Sequence, residues 1–243
     1  MATPATTGGL QRAIRRDVLR RAAERARLAP SIYNTQPWRF LLTEDSLEFH
    51  ADEQRRLRVL DPRGRQLTIS CGCALYNARV AIAAAGYEPV VERLPEAYHP
   101  NLLARVSLGE RRKLAMAELD FAIDLRRTNR RAFMSDEPPA SLVRAWAASA
   151  SEEGATLVAV TSPEHRARLA VLCQEADAAQ RADPRYVEEL LAWTTDDPRR
   201  PDGVQAMTIP YLYDWRRPET RGQLRSFDVR GRGWLPGALP TSM

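Results

Sequence analysis

The stretch that most restricts the fold is the apolar run LTISCGCALYNARVAIAAAG, residues 67–86. Asn77 and Arg79 sit in its middle, so the interior of a protein suits it better than a bilayer. The pattern predicts a long, largely buried helix over 66–86, with Gly86 placed to end it. Leu10, Ile14, Val18, Leu19, Ala22 and Ala26 recur at helical spacing among many arginines and predict an amphipathic helix over 10–28. The two prolines and small polar residues of APSIYNTQP break that pattern and predict a loop over 29–37. Strands are expected at 38–43 and 47–51 around the turn residues Glu44, Asp45 and Ser46. Two more are expected at 87–93 and 102–108, flanking a Pro-containing turn at 95–101.

Residues 113–125 read as a further helix, followed by the strongly basic LRRTNRRAF. Pro138 and Pro139 mark entry to a helix reaching about residue 151. A strand is expected at 155–161 (ATLVAVT) and helices at 163–181 and 184–193. No periodic element is legible from 210 to 243. The segments VLRRAAERARLAPSIYNTQPWRFLLTED and LVRAWAASASEEGATLVAVTSPE share the order helix, small-residue break, strand, polar turn. A duplication would suit a chain of 243 residues, which is long enough for one large or two small cores.

Arginine and lysine number 36 against 31 aspartate and glutamate, a formal net charge of +5. Lys113 is the sole lysine, so the basic groups are nearly all guanidiniums, suited to two-pronged contact with phosphate or carboxylate. No reader helix or aromatic-basic sheet motif accompanies the charge, and nucleic-acid binding is not expected. The three cysteines form no disulfide framework, and the first residues lack a signal-peptide core, so the expected location is the cytoplasm. Neither HExxH, GxSxG, a Walker loop nor a Rossmann fingerprint is present. GRGWLPG lacks the strand and helix that a phosphate loop needs. Cys71 and Cys73 lack a second ligand pair, and His50, His99 and His165 are scattered singly, so no metal site is expected.

Two segments remain. Residues 29–38 present backbone amides, Ser31, Asn34 and Gln36, able to meet the edge of a flat polar heterocycle. An ordinary helix-to-strand connection with a buried tryptophan is the alternative. In Arg126-Arg127-Thr128-Asn129-Arg130-Arg131, four guanidiniums and a hydroxyl lie within about two turns. Phosphate is the natural partner, and a solvated basic face the alternative.

Together APSIYNTQPWRF and LRRTNRRAFMSDEPP resemble the Pro-Ser-x-x-Asn-x-Gln-Pro-Trp loop and the Arg-Arg-Ser-x-Arg segment of the FMN-dependent nitroreductase superfamily, in its Acg-like branch from actinobacteria. DPRGRQLTISCGCALYNARVAIAAAGYEPVV resembles the branch's first core helix, and DPRYVEELLAWT with the later DGV its mid-chain lid region. The resemblance implies an α+β, nitroreductase-like FMN-binding fold in which two dimer halves are fused in tandem. Residues 1–124 would form the first half and 125–243 the second, which would be incomplete. By match, Arg126, Arg127, Thr128 and Arg130 would bind the FMN phosphate, with Thr128 in place of the usual serine. Pro30, Ser31, Ile32 and Asn34 would contact the ring. The Arg segment is one residue longer than usual in its spacing to Phe133, which leaves open which arginine points inward. The branch's second core helix, the loop reaching the flavin N5 edge and a late basic pair have no counterpart in DVRGRGWLPGALPTSM, as a C-terminally shortened chain would show.

The activity implied is transfer of hydride from NAD(P)H through FMN to a nitroaromatic or quinone-like small-molecule acceptor, with no protein nucleophile. The alternatives are a flavin-binding store in a stress or dormancy response, and a non-functional remnant. The protein is expected off the membrane, either as a monomer containing an internal pseudo-dimer or as a homodimer.

Overall fold

Leu102, Ala104, Val106 and Leu108 are buried and alternate with half-exposed neighbours along a strand, Leu102–Arg111, that covers one face. This is β4 of a computed structural model that describes residues 5–128 and 136–206. With β1 (Trp38–Leu42), β2 (Ser46–Ala51) and β3 (Tyr87–Arg93) it forms an antiparallel sheet of order β1-β2-β4-β3. The chain divides into two units. One comprises Met1–Thr128 and Glu188–Val204, the other Asn129–Val187 and Gln205–Met243.

In the first unit, α1 (Ala5–Ala26) and α2 (Arg65–Ala84) pack on each other and on the sheet. Small residues make the close approach possible. Ala22, Ala26, Ala74 and Ala78 are each fully buried among Leu19, Leu47, Phe49, Ile82 and Val106. The 66–86 expectation thus corresponds to α2, which ends beside Gly86 at φ +82°. Its burial is uneven. Ala78 and residues 80–83 are covered, whereas Arg65, Gln66, Thr68, Ile69 and Gly72 are exposed. By length and composition α2 could cross a membrane, yet just over half of its most apolar 18-residue stretch is buried in the protein.

The helix expected over 113–125 is in fact a 3-10 turn, Ala115–Leu119, followed by a short α3, Asp120–Leu125. Side-chain charge fastens α3. Asp120 and Asp124, one turn apart, receive the Arg25 guanidinium at 3.1 and 2.7 Å, and Arg21 reaches Asp120 at 2.8 Å.

The outer face of the sheet carries a second ionic cluster. Glu48, only 8% exposed, accepts hydrogen bonds from Arg105 at 3.0 and 2.8 Å and lies 3.0 Å from the His50 ring. Arg105 and, more weakly, His50 hold the Glu48 carboxyl below its ordinary pKa against the opposing effect of burial. A carboxyl depressed by folding stabilises the protein above its unfolded pKa, and the contribution is lost as pH falls through the folded value. Thermal denaturation between neutrality and about pH 3 is expected to show this loss, and Glu48→Gln is expected to flatten it. Identical pH profiles for the two proteins would contradict the assignment.

In the second unit, α4 (Ala140–Glu152) follows Pro139, and α5 (Pro163–Ala182) is capped by Ser162, which accepts from the His165 amide. The strand expected at 155–161 does not form. These residues are exposed, and no described segment of this unit pairs with them. A strand needs a neighbour for its amides and carbonyls, and apolar composition cannot substitute for one. The internal echo therefore extends to the helix and stops before the strand. Helix α6 (Pro184–Ala192), whose last turns already belong to the first unit, leads into the short pair β5 (Thr194–Thr195) and β6 (Val204–Gln205), neither of which is legible in the sequence. The tail from 210 lies outside the described residues.

Candidate functional site

The loop between α1 and β1 is built inward from buried Ala29, Thr35, Pro37 and Trp38. The Ser31 hydroxyl accepts from the Gln36 amide at 2.9 Å, and the Ser31 carbonyl accepts from the Asn34 amide at 3.0 Å. This closes a tight turn. Tyr33, Asn34 and Gln36 all take left-handed backbone angles, with φ of 45°, 53° and 49°. Three such residues among four, none of them glycine, require surroundings that hold them there.

Two sets of contacts do so. From α2, the Ser70 hydroxyl accepts from the Ile32 amide at 3.1 Å, and the Cys71 thiol donates to the Pro37 carbonyl at 3.3 Å. Burial pushes the Cys71 thiol up to about 12, which fits a packed hydrogen-bond donor and not a nucleophile. From residues 201–203, the Gly203 carbonyl accepts from the Asn34 side-chain amide at 3.0 Å, and the Gly203 amide donates to the Asn34 carbonyl at 3.1 Å. The Gln36 side chain donates to the Pro201 carbonyl at 2.7 Å. Arg55 donates to the Thr35 carbonyl and to Asp202, both at 2.8 Å. Of the four loop residues expected to contact a ring, Pro30 and Asn34 are exposed while Ser31 and Ile32 are half-buried.

Arg126, Arg127 and Thr128 follow α3 and are exposed. Arg127 donates to the Asp124 and Arg126 carbonyls at 2.6 and 2.8 Å, which commits one edge of its guanidinium. Arg126 lies 3.4 Å from the Thr128 hydroxyl. It is also near Cys73 of α2, where its charge opposes the upward push that burial exerts on the thiol. Among the described residues neither arginine meets a carboxylate at salt-bridge distance. Arg130 and Phe133 lie outside the described residues.

Helix α2 thus contacts both the polar loop, through Ser70, and α3, which Arg126 directly follows. The donors present suit an anion joined to a flat polar group. The guanidiniums of Arg126 and Arg127 are exposed and meet no carboxylate among the described residues, and the loop keeps an exposed edge at Pro30 and Asn34. The contributions of Arg55, Ser70, Cys73 and Asp202 were not read from the sequence. Asp202 does lie in a segment the sequence marks, the DGV that resembles the branch's mid-chain lid region. His50 and His99 are paired with Glu48 and Glu96, and no metal-binding group occurs among the described residues.

Fold and site define an α+β unit carrying a strained polar loop and an arginine pair along one helix. Comparison with known proteins narrows this. A Mycobacterium tuberculosis protein named "Putative NAD(P)H nitroreductase" is 34% identical over 170 residues, 68% of this chain and 48% of the relative. The "Putative NAD(P)H nitroreductase acg" of the same organism is 32% identical over 184 residues, 73% of this chain and 54% of the relative. An uncharacterized protein of that organism is 31% identical over 185 residues, 73% of this chain and 53% of the relative. No family model matches. The chain belongs to the Acg-like branch of the nitroreductase family, and it spans about half the length of the curated relatives it matches.

Proposed function

We propose that the chain is an FMN-binding, NAD(P)H-dependent oxidoreductase acting on a nitroaromatic or quinone-like acceptor. The observation that carries this reading is that α2 receives both segments: its Ser70 hydroxyl holds the 30–37 loop, and α3, which Arg126 and Arg127 directly follow, packs against it. A bound flavin would supply hydride transfer between nicotinamide and acceptor. The chain's part is binding and orientation. Arg126, Arg127 and Thr128 would hold the phosphate, with Arg126 the more available guanidinium because Arg127 is engaged by backbone carbonyls. Pro30, Ser31, Ile32 and Asn34 would lie along the ring, and the tight turn closed by Ser31 keeps that edge rigid. Arg130 would join the phosphate group. We read the chain as two nitroreductase-like halves of a tandem pseudo-dimer.

The purified protein is expected to take up FMN and to bleach rapidly on mixing with NADPH or NADH. A protein that takes up no FMN would overturn the reading. Flavin that binds but resists both nicotinamides would make the protein a flavin store.

A further inference from the structure

Residues 199–203 make contacts that neither phosphate nor ring binding requires. Asp202 accepts from Arg200 at 2.7 Å and from Arg55 at 2.8 Å, and its side chain is 18% exposed. Both guanidiniums also lie over the Trp193 ring, at 6.0 Å for Arg55 and 5.8 Å for Arg200. Arg55 continues to the Thr35 carbonyl, so one side chain joins Asp202 to the loop backbone. At Gly203 φ is +77°, and a Cβ would stand 2.9 Å from the Trp193 carbonyl oxygen. Only glycine fits where the segment turns back toward Asn34.

The loop on the other side of these contacts is the strained one. Tyr33, Asn34 and Gln36 hold left-handed angles, and the side chains of Asn34 and Gln36 both end on carbonyls of 201–203. We propose that residues 199–203 are a positioning strap for the 30–37 loop, pinned by Asp202 between Arg55 and Arg200, and that the strap sets the backbone shape the loop offers to the ring. Asp202 and Arg55 are positioning residues, acting through Thr35 and Asn34 without touching the ligand. The inference deepens the FMN reading and rests on it for the ligand.

The test compares the full chain with Asp202→Asn and Arg55→Met, which remove the same bridge from opposite ends. Amide hydrogen exchange over 32–36 is expected to speed up about tenfold in both variants, with the amides of α2 unchanged. The Kd for FMN, followed by flavin fluorescence, is expected to rise about three- to tenfold, since a loop that must be ordered on binding weakens affinity. Unchanged exchange at 32–36 in both variants would overturn the strap, whether or not FMN binds. Faster exchange with an unchanged Kd would show that the strap does not govern ring contact, and would overturn the proposal while leaving FMN binding intact. A wild-type chain that takes up no FMN would overturn the FMN reading and with it the ligand half of the proposal. Should one variant fail to fold, the other decides.

Discussion

Replacing Arg126 by alanine is expected to weaken FMN binding about 10- to 100-fold, the equivalent of roughly 1.5–3 kcal/mol for hydrogen bonds to a charged group. Arg126 is exposed, unpaired with any carboxylate among the described residues, and directly follows α3, which packs on the helix that also holds the polar loop. Arg127→Ala should cost less, because part of that guanidinium already bonds to the Asp124 and Arg126 carbonyls. Arg126→Lys should fall between wild type and alanine, since an ammonium keeps the charge and loses the planar fork. Fluorescence titration of FMN into the four proteins checks the order. Equal affinity in wild type, Arg126→Ala and Arg127→Ala would remove the phosphate from this segment.

The largest stability effect is expected at Phe49. Its ring is 1% exposed and packs edge-on against Phe40 at 5.1 Å, and Phe40 in turn stacks on Trp38 at 6.2 Å. Phe49→Ala should cost about 3–5 kcal/mol, combining lost transfer energy with a cavity that the sheet and helices cannot close. Leu41, on a neighbouring strand, is 53% exposed. Leu41→Ala should stay within about 0.5 kcal/mol. Urea denaturation of both variants measures the contrast, and comparable losses would mean that the core does not lie between the sheet and its helices. Because Trp38 begins where the polar loop ends, Phe49→Ala should also loosen the loop's inner anchor.

Much of the first unit was legible because its segments carry their instructions locally. The helical spacing from Leu10, the apolar run ending at Gly86 and the turn residues 44–46 each form the element they point to, although Leu10 and Ile14 at the start of the first stripe stay exposed and only Leu19, Ala22 and Ala26 enter the core. Where local and global signals parted, reading failed. ATLVAVT has the composition of a strand but pairs with no described segment. Residues 113–119 look helical, yet only Ala115–Leu119 wind, as a 3-10 turn, and the charges that fasten the next helix, Asp120 and Asp124, begin only after them. At the site, the Pro-Ser loop and the arginine segment stood out as residue types suited to a heterocycle and a phosphate. The partners that hold the loop did not. Nothing in the sequence sets Arg55 and Asp202 apart from its many other arginines and aspartates.

Local chemistry therefore determined most elements of the first unit and marked the two segments proposed to bind an anionic ring compound, because helical periodicity, turn residues and guanidinium density act over a few positions. The tertiary structure alone decided which backbone shape the loop takes. Left-handed angles at Tyr33, Asn34 and Gln36 are disfavoured in isolation, and they hold because Ser70 on one side and Pro201–Gly203 on the other supply hydrogen bonds across about 40 and 170 positions of chain.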